Sequence, residues 1–314
     1  MSIGSIRAEA DSASVYEQNN QNNQILYVSD LDGTLLDGNA KLSQKTLHTL
    51  NSVIKEGVSF TIATGRTPLS TSVILAELTL ELPQILMNGA IIQSPCGTEV
   101  FYHKPISQID CDYLSHAASA LKLDRLVFFM KDHTLQYYFM CEGSDLWERF
   151  FNRNSCNIQD IRRSAVIESS PPTQAVYAIY IDDKPERLAA LYQQLYSHDG
   201  YSLDYYNDSY DPGTWCLEVY SASASKKTAA RILRGLTKAA HIIGFGDSRN
   251  DIPLFSECDE CYAVSNAQHE VKQASTAIIG SNHEDAVAGF IANRHSCSNH
   301  PKCRTKDNNE SKGE

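Results

Sequence analysis

The sequence predicts an α/β fold, a Rossmann-like parallel sheet core interrupted by an inserted α+β cap domain. From residue 25 short apolar runs alternate with amphipathic stretches, which spells strand, helix, strand, helix. The spelling changes after Asn88, where strands come in pairs, and it resumes near residue 214. Alternating strands and helices imply parallel pairing with helices on both faces, whereas paired strands imply an α+β module of their own.

The elements follow in order. Ile25–Val28 is an apolar run of strand length. "KLSQKTLHTLNSVIKEG" sets Leu42, Thr46, Leu50, Val53 and Ile54 on one side of a helix, which Gly57 stops. "VSFTIAT" is a second strand, Pro68 opens a helix to about Leu78, and "QILMN" is a third strand of the parallel run. "AIIQSP" and "TEVFYHK", joined by Cys96-Gly97, read as a hairpin.

The module itself, about residues 104–213, opens on a helix around "QIDCDYLSHAASALK" and strands in "RLVFFMK" and "TLQYYFM". A helix carrying Leu146, Trp147, Phe150 and Phe151 comes next, then strand "AVYAIYI", helix "PERLAALYQQLY" and strands "YSLDYYN" and "WCLEVYS". Its aromatics are expected in the core. Parallel spelling returns with a helix over 226–240, strand "HIIGFGD", a short helix from Asn250, strand "CYAVS", helix "AQHEVKQA", strand "TAIIG" and helix "EDAVAGFIAN". The expected division is a core of 25–103 and 214–292, a cap of 104–213, and disordered polar tails at 1–24 and 293–314.

Composition narrows the function classes. The 314 residues are 42% hydrophobic and 21% charged, ordinary for a soluble globular protein. A formal charge of −11 argues against a broad nucleic-acid surface or an anionic-membrane binder. No apolar run reaches membrane-spanning length. The N-terminal stretch lacks the apolar segment of a secretory signal and is acidic for a transit peptide. Nine cysteines, an odd number without regular spacing, suit a reducing compartment, and the expected location is the cytoplasm. Cys258-Asp-Glu-Cys261 lacks the second pair that a zinc site needs.

Chemistry concentrates where strands of the parallel domain end, the positions that line the ligand crevice of an open α/β sheet. "VSDLDGTLLDG" ends a buried strand on Asp30 and Asp32, which alternation sends to one side, where their charges repel unless a cation sits between them. "TIATGR" places Thr64, Gly65 and Arg66 after the next strand. Lys226 or its neighbour Lys227 opens a helix, and "GFGDSRND" sets Asp247, Asn250 and Asp251 after another strand. Each element alone is ordinary. Together they supply what phosphoryl transfer needs: hard oxygen ligands for Mg²⁺, a hydroxyl and an ammonium for phosphate oxygens, and a second carboxylate to move a proton.

In order and spacing, these motifs make the chain resemble the haloacid dehalogenase (HAD) superfamily of aspartate-nucleophile phosphohydrolases, and within it the Cof-type subfamily with a cap between motifs two and three. "SDLDGTLL" matches the first motif, "ATGR" the second, Lys226 the third and "GDSRND" the fourth. "MNGAII", "SNA" and "EDAVAGFI" resemble that subfamily's flanking text, and the likeness covers about residues 25–292. The segment "LEVYSASASKK" departs from it: Lys227 stands where Gly often follows the lysine.

The resemblance implies that Asp30 is the nucleophile and Asp32 the general acid–base, with the Asp32 backbone carbonyl on Mg²⁺. It implies that Thr64, Gly65, Lys226 and Asn250 hold the phosphate. Asp30 and Asp247 would bind the metal, with Asp251 acting through water or Lys226. The expected activity is hydrolysis of a small phosphorylated metabolite, a sugar phosphate or phosphorylated cofactor. The rivals are a phosphomutase of the same superfamily and a non-catalytic phosphometabolite sensor.

Overall fold

The structure is a computed structural model that describes residues 25–141, 145–153, 156–165, 174–208 and 211–299. Its strands in chain order are β1 (Ile25–Ser29), β2 (Ser59–Ile62), β3 (Gln84–Leu86), β4 (Ile91–Gln93), β5 (Val100–His103), β6 (Arg125–Lys131), β7 (Thr134–Met140), β8 (Ala175–Asp182), β9 (Tyr201–Asn207), β10 (Trp215–Ser221), β11 (His241–Gly246), β12 (Glu260–Ala263) and β13 (Ala277–Ile278). The described residues form two compact units: one of 63–76 and 83–233, the other of 25–62, 77–82 and 234–299.

The second unit holds the parallel sheet, in the order β13-β12-β11-β1-β2. β1, an interior strand of that sheet, is apolar on both faces because both are covered: Leu26, Tyr27 and Val28 are all buried. On one face Phe290, from helix Ala286–Asn299, meets the rings of Phe245 and Tyr262. On the other, Gly244 leaves room for Cys258 and Phe255 at the end of the short helix Ile252–Phe255. Helix Gln44–Lys55 is capped by Ser43, whose hydroxyl accepts from Thr46 N at 2.9 Å, and it buries Leu47, Leu50, Val53 and Ile54. β1 has β2 on one side and β11 on the other. The chain therefore reverses its winding beside β1, and a ligand crevice is expected at that strand's carboxyl end.

The last helix does not stop at Asn293, where "EDAVAGFIAN" ends, but continues to Asn299, past the expected core boundary at 292. The reason is a set of charged anchors that a hydrophobic pattern does not show. Arg294 donates to both oxygens of Glu260, at 2.7 and 2.6 Å, and His295 Nε2 lies 3.0 Å from Glu56 Oε2. Residues 1–24 and 300–314, expected as disordered, lie outside the described residues.

The Arg294 fork, with help from Tyr262 and His241, holds the Glu260 carboxyl down at about 2 from an ordinary 4.5. A carboxyl lowered on folding stabilises the protein above its unfolded value, and that stability drains as pH falls from about 4.5 towards 2. Arg294→Ala is expected to cost about 1–2 kcal/mol at neutral pH, with the pair's partial exposure to solvent already discounted. It should also flatten the acid limb of stability in urea titrations run across that window. An unchanged acid limb would remove Glu260–Arg294 as the anchor.

In the first unit, β3, β4 and β5 form a small antiparallel sheet. "QILMN" was expected in the parallel sheet. Instead β3 pairs antiparallel with β4, and its parallel link is the single bridge between Ala63 and Ile85. The cap sheet is antiparallel throughout, in the order β7-β6-β8-β10-β9. Because β10 lies between β8 and β9, the cap's sheet runs to Ser221 rather than ending at 213.

One cap face packs Val127, Ala178, Tyr180, Leu217 and Val219 against helices Gln108–Ala120 and Pro185–Tyr196. On the other, Phe139 meets Trp147 of helix Asp145–Arg153, and Tyr137 Oη donates to Ile161 O in helix Ile158–Ser164. Trp147 and Phe151 are buried, as expected for core aromatics. Ile158–Ser164, too short to show a clear period, was not expected; Asn157 caps it by accepting from Gln159 N at 2.8 Å.

Candidate active site

In the parallel unit β1 ends at Ser29, and the chain turns at once: the amides of Thr34, Leu35 and Leu36 all donate to Leu31 O. Strand alternation therefore stops before Asp32, and the pairing of Asp30 with Asp32 across one face is not what forms. Asp30 meets Asp247 and Asp251 instead, with one oxygen of each lying within 4.8 Å of the others. Asp30 and Asp251 are buried, at 4% and 0% exposure, so their mutual repulsion is poorly screened.

Each member is fixed from the backbone. Asp30 N donates to Phe245 O at 3.0 Å, tying the end of β1 to β11. Asp251 Oδ2 accepts from Asp247 N at 2.9 Å and Ser248 N at 3.1 Å, closing a capping box around Ser248. Asp247 Oδ1 accepts from Thr34 Oγ1 at 3.0 Å. Gly33, at φ +73°, passes so close to Asp247 that a Cβ would collide with its carboxylate.

Two asparagines, Asn266 of the flanking text "SNA" and Asn282, to which the sequence expectations gave no role, brace this loop. Asn266 Nδ2 donates to Gly33 O at 2.7 Å, and Asn282 Nδ2 to Leu36 O at 2.8 Å. Asn282 N in turn donates to Asn266 Oδ1 at 3.0 Å. Asp32 and Asn250 lie in the same unit but outside the carboxylate cluster. Asn250 is exposed, its Oδ1 accepting from Ser248 Oγ at 2.6 Å. Asp37, the third acid of the opening motif, accepts from Asn39 N and Lys41 N and closes a turn.

Thr64, Gly65 and Lys226 belong to the other unit, where Asn88 meets Thr64 and Gly65 and its neighbour Gly89 meets the start of the Lys226 helix. Thr64 is 1% exposed; its amide donates to Ile85 O at 2.9 Å and its carbonyl accepts from Asn88 N at 3.0 Å. Gly65 lies against the Asn88 side chain. Met87, Asn88 and Gly89 are all left-handed, with φ of +51°, +54° and +89°. Gly89 runs so close to Ser225 that a Cβ would strike the Ser225 carbonyl, one residue before Lys226. Lys226 is 1% exposed for all its charge. Arg66 Nη1 donates to Ser70 Oγ at 2.8 Å, a bracing bond.

A family model of haloacid dehalogenase-like hydrolases matches residues 27–291. The chain belongs to that family. This haloacid dehalogenase-like hydrolase is of the Cof type, a phosphatase by class with an inserted cap. It is 25% identical over 284 residues to the 5-amino-6-(5-phospho-D-ribitylamino)uracil phosphatase YitU of Bacillus subtilis, covering 85% of this chain and 96% of that one. To the pyridoxal phosphate phosphatase YbhA of Escherichia coli it is 21% identical over 277 residues, covering 83% and 95%. A haloacid dehalogenase-like hydrolase from Bacteroides thetaiotaomicron superposes with a TM-score of 0.70 at 19% identity, over 87% of this chain and 100% of that one.

Cys258 and Cys261 of this hydrolase are free thiols in a structural setting. Cys258 fills the space over Gly244, and burial pushes its thiol far above the ordinary range. Between them, Asp259 accepts from Ile242 N at 2.7 Å and Arg234 Nη2 at 2.8 Å.

Proposed function

We propose that this hydrolase is a Mg²⁺-dependent phosphatase that cleaves a small phosphorylated metabolite through an aspartyl-phosphate on Asp30. The observation that carries the reading is the convergence of Asp30, Asp247 and Asp251 at the end of β1. Three clustered carboxylates, two of them fully or nearly buried, make an all-oxygen donor set, which suits a hard divalent cation. Asp30, Asp247 and Asp251 would hold Mg²⁺, joined by the Asp32 carbonyl. When bound, the ion supplies positive charge for the carboxylates and for the oxygens of the transferring phosphoryl group.

The chain's own residues do the rest. Asp30 attacks phosphorus, the bond from phosphorus to the ester oxygen breaks, and Asp32 gives that oxygen its proton. Asp32 then takes a proton from water, which attacks the aspartyl-phosphate, frees inorganic phosphate and restores Asp30. Thr64, Gly65, Lys226 and Asn250 are assigned to the phosphate oxygens. The burial of Thr64 and Lys226 supports this, because a buried hydroxyl and ammonium bind an anion more strongly than solvated ones. The relatives' named substrates, a ribitylaminouracil phosphate and pyridoxal phosphate, support a small phosphorylated molecule and a phosphorylated cofactor or precursor among the first to try. Eight free cysteines among the described residues accord with a reducing cytoplasm, and no described helix is long and apolar enough to cross a membrane.

The test is phosphate release across sugar phosphates, nucleotides and vitamin phosphates, with Mg²⁺ and with excess chelator. Chelation is expected to lower turnover by at least about 10²-fold, with recovery on adding Mg²⁺. Full activity in chelator would remove the metal from the reading. Binding of phosphometabolites without hydrolysis of any would favour a sensor.

A further inference from the structure

We propose that Asp204, on cap strand β9, is the positioning residue that holds the phosphate-binding segments of its unit in register, acting through Asn88. This rests on the assignment of Thr64 and Lys226 to the substrate phosphate. Asn88 is the joint. Its amide donates to Thr64 O at 3.0 Å, its side chain lies against Gly65, and its neighbour Gly89 abuts the Ser225 carbonyl beside Lys226. A joint of this kind is costly to hold, since Met87 and Asn88 are both non-glycine residues in the left-handed region. Something outside the segment must fix it.

The cap sheet supplies that anchor. Asn88 Nδ2 donates to Asp204 Oδ2 at 3.0 Å, and Tyr220 Oη donates to the same oxygen at 2.9 Å. Asp204 and Tyr220 sit on adjacent strands, where Asp204 pairs with Glu218 and Tyr220 with Ser202. Tyr220 is stacked on Tyr177 at 5.3 Å, with ring planes 12° apart. Tyr177 Oη donates to Glu218 Oε2 at 2.5 Å, and Tyr206 Oη to Oε1 at 3.0 Å. The carboxylate that grips Asn88 is therefore held by a tyrosine that is itself packed on a fixed polar sheet face. Burial pushes the Asp204 carboxyl up, and the Tyr220 hydrogen bond and the charge of Lys226 pull it back, which puts Asp204 in electrostatic reach of that lysine.

A positioning role and a substrate-contact role differ in what they discriminate. Every phosphate ester shares the grip, so loss of the Asn88 anchor should cost all substrates alike. Loss of a cap contact should cost only the ester that makes it. Asp204→Ala is expected to lower kcat/KM by on the order of 10–100-fold. The factor should be the same for the best metabolite found and for an aryl phosphate. Inorganic phosphate binding, followed by thermal shift without any turnover, should weaken in parallel.

Asn88→Gly keeps the left-handed backbone and removes the joint's side chain, so it should reproduce the loss even if Asp204→Ala folds poorly. The double variant should be no worse than either single one, within about twofold, because both cut one link. Losses confined to one ester, additive losses, or phosphate binding that neither variant weakens would overturn the role. If the unmodified protein releases phosphate from no ester, the proposed activity falls; if it turns over and both single variants match it, only the positioning role falls.

Discussion

Asp30→Asn is expected to abolish turnover, by on the order of 10⁴-fold or more, while leaving the fold intact. The carboxamide has nearly the shape of the carboxylate, and the backbone bond from Asp30 N to Phe245 O that fixes the end of β1 does not involve the side chain. Removing one charge from three clustered carboxylates relieves repulsion in the metal-free protein, so its melting midpoint should hold or rise. What disappears is the attacking oxygen's charge, and the neighbouring acids cannot replace it. Asp251 has one oxygen committed to two backbone amides, and Asp247 one to Thr34.

A second readout separates the nucleophile from a bystander. Beryllofluoride with Mg²⁺ mimics an aspartyl-phosphate. It should raise the midpoint of the unmodified protein, since a ligand selective for the folded state stabilises it, and should do nothing for Asp30→Asn. Normal turnover in Asp30→Asn would end the covalent mechanism.

Most of the fold was legible because burial writes itself into period. A strand covered on both faces is an uninterrupted apolar run, and Ile25–Ser29 could be read without a neighbour. Period says nothing about partners, however, and that is where the expectations moved. Gln84–Leu86 looks like any buried strand, and only its hydrogen bonds show that it pairs with Ile91–Gln93. Trp215–Ser221 alternates equally well in either sheet. The helix end at Asn299 depends on Arg294 reaching Glu260, a contact between residues 34 apart in sequence.

The site shows the same division. Asp30, Asp247 and Asp251 could be singled out because the strand ends of a parallel sheet share one crevice, and the structure brings one oxygen of each within 4.8 Å of the others. Asp204 was invisible, since "YSLDYYN" reads as a strand with one polar face, and nothing local marks which polar residue will meet Asn88. Asn88 itself stood in the flanking text "MNGAII"; its left-handed φ, which asparagine tolerates better than most residues, is the physical reason for asparagine there.

Asp32→Asn is expected to cost on the order of 10²–10⁴-fold in kcat/KM on an alkyl phosphate, and far less in kcat/KM on an aryl phosphate. The structure sharpens the reason. Had Asp30 and Asp32 shared one strand face, as alternation implied, both would belong to the metal's donor set, and losing either would weaken metal binding. The turn through Leu31 instead leaves Asp32 outside the three-carboxylate cluster, partly exposed on the loop that Asn266 and Asn282 brace. A side chain outside the cluster keeps its proton exchange separate from metal binding, as a general acid requires. Asp32→Asn should therefore leave the Mg²⁺ concentration for half-maximal activity within about threefold, while the leaving group's demand for a proton sets the loss. An alkoxide needs that proton as the ester bond breaks; a phenolate with a low pKa leaves without it. The aryl ester should then show a burst of released phenol, because attack by Asp30 survives while water activation by Asp32 is lost. Equal losses of kcat/KM on both esters, or a large rise in the Mg²⁺ requirement, would move Asp32 from proton carrier to structural or metal-binding residue.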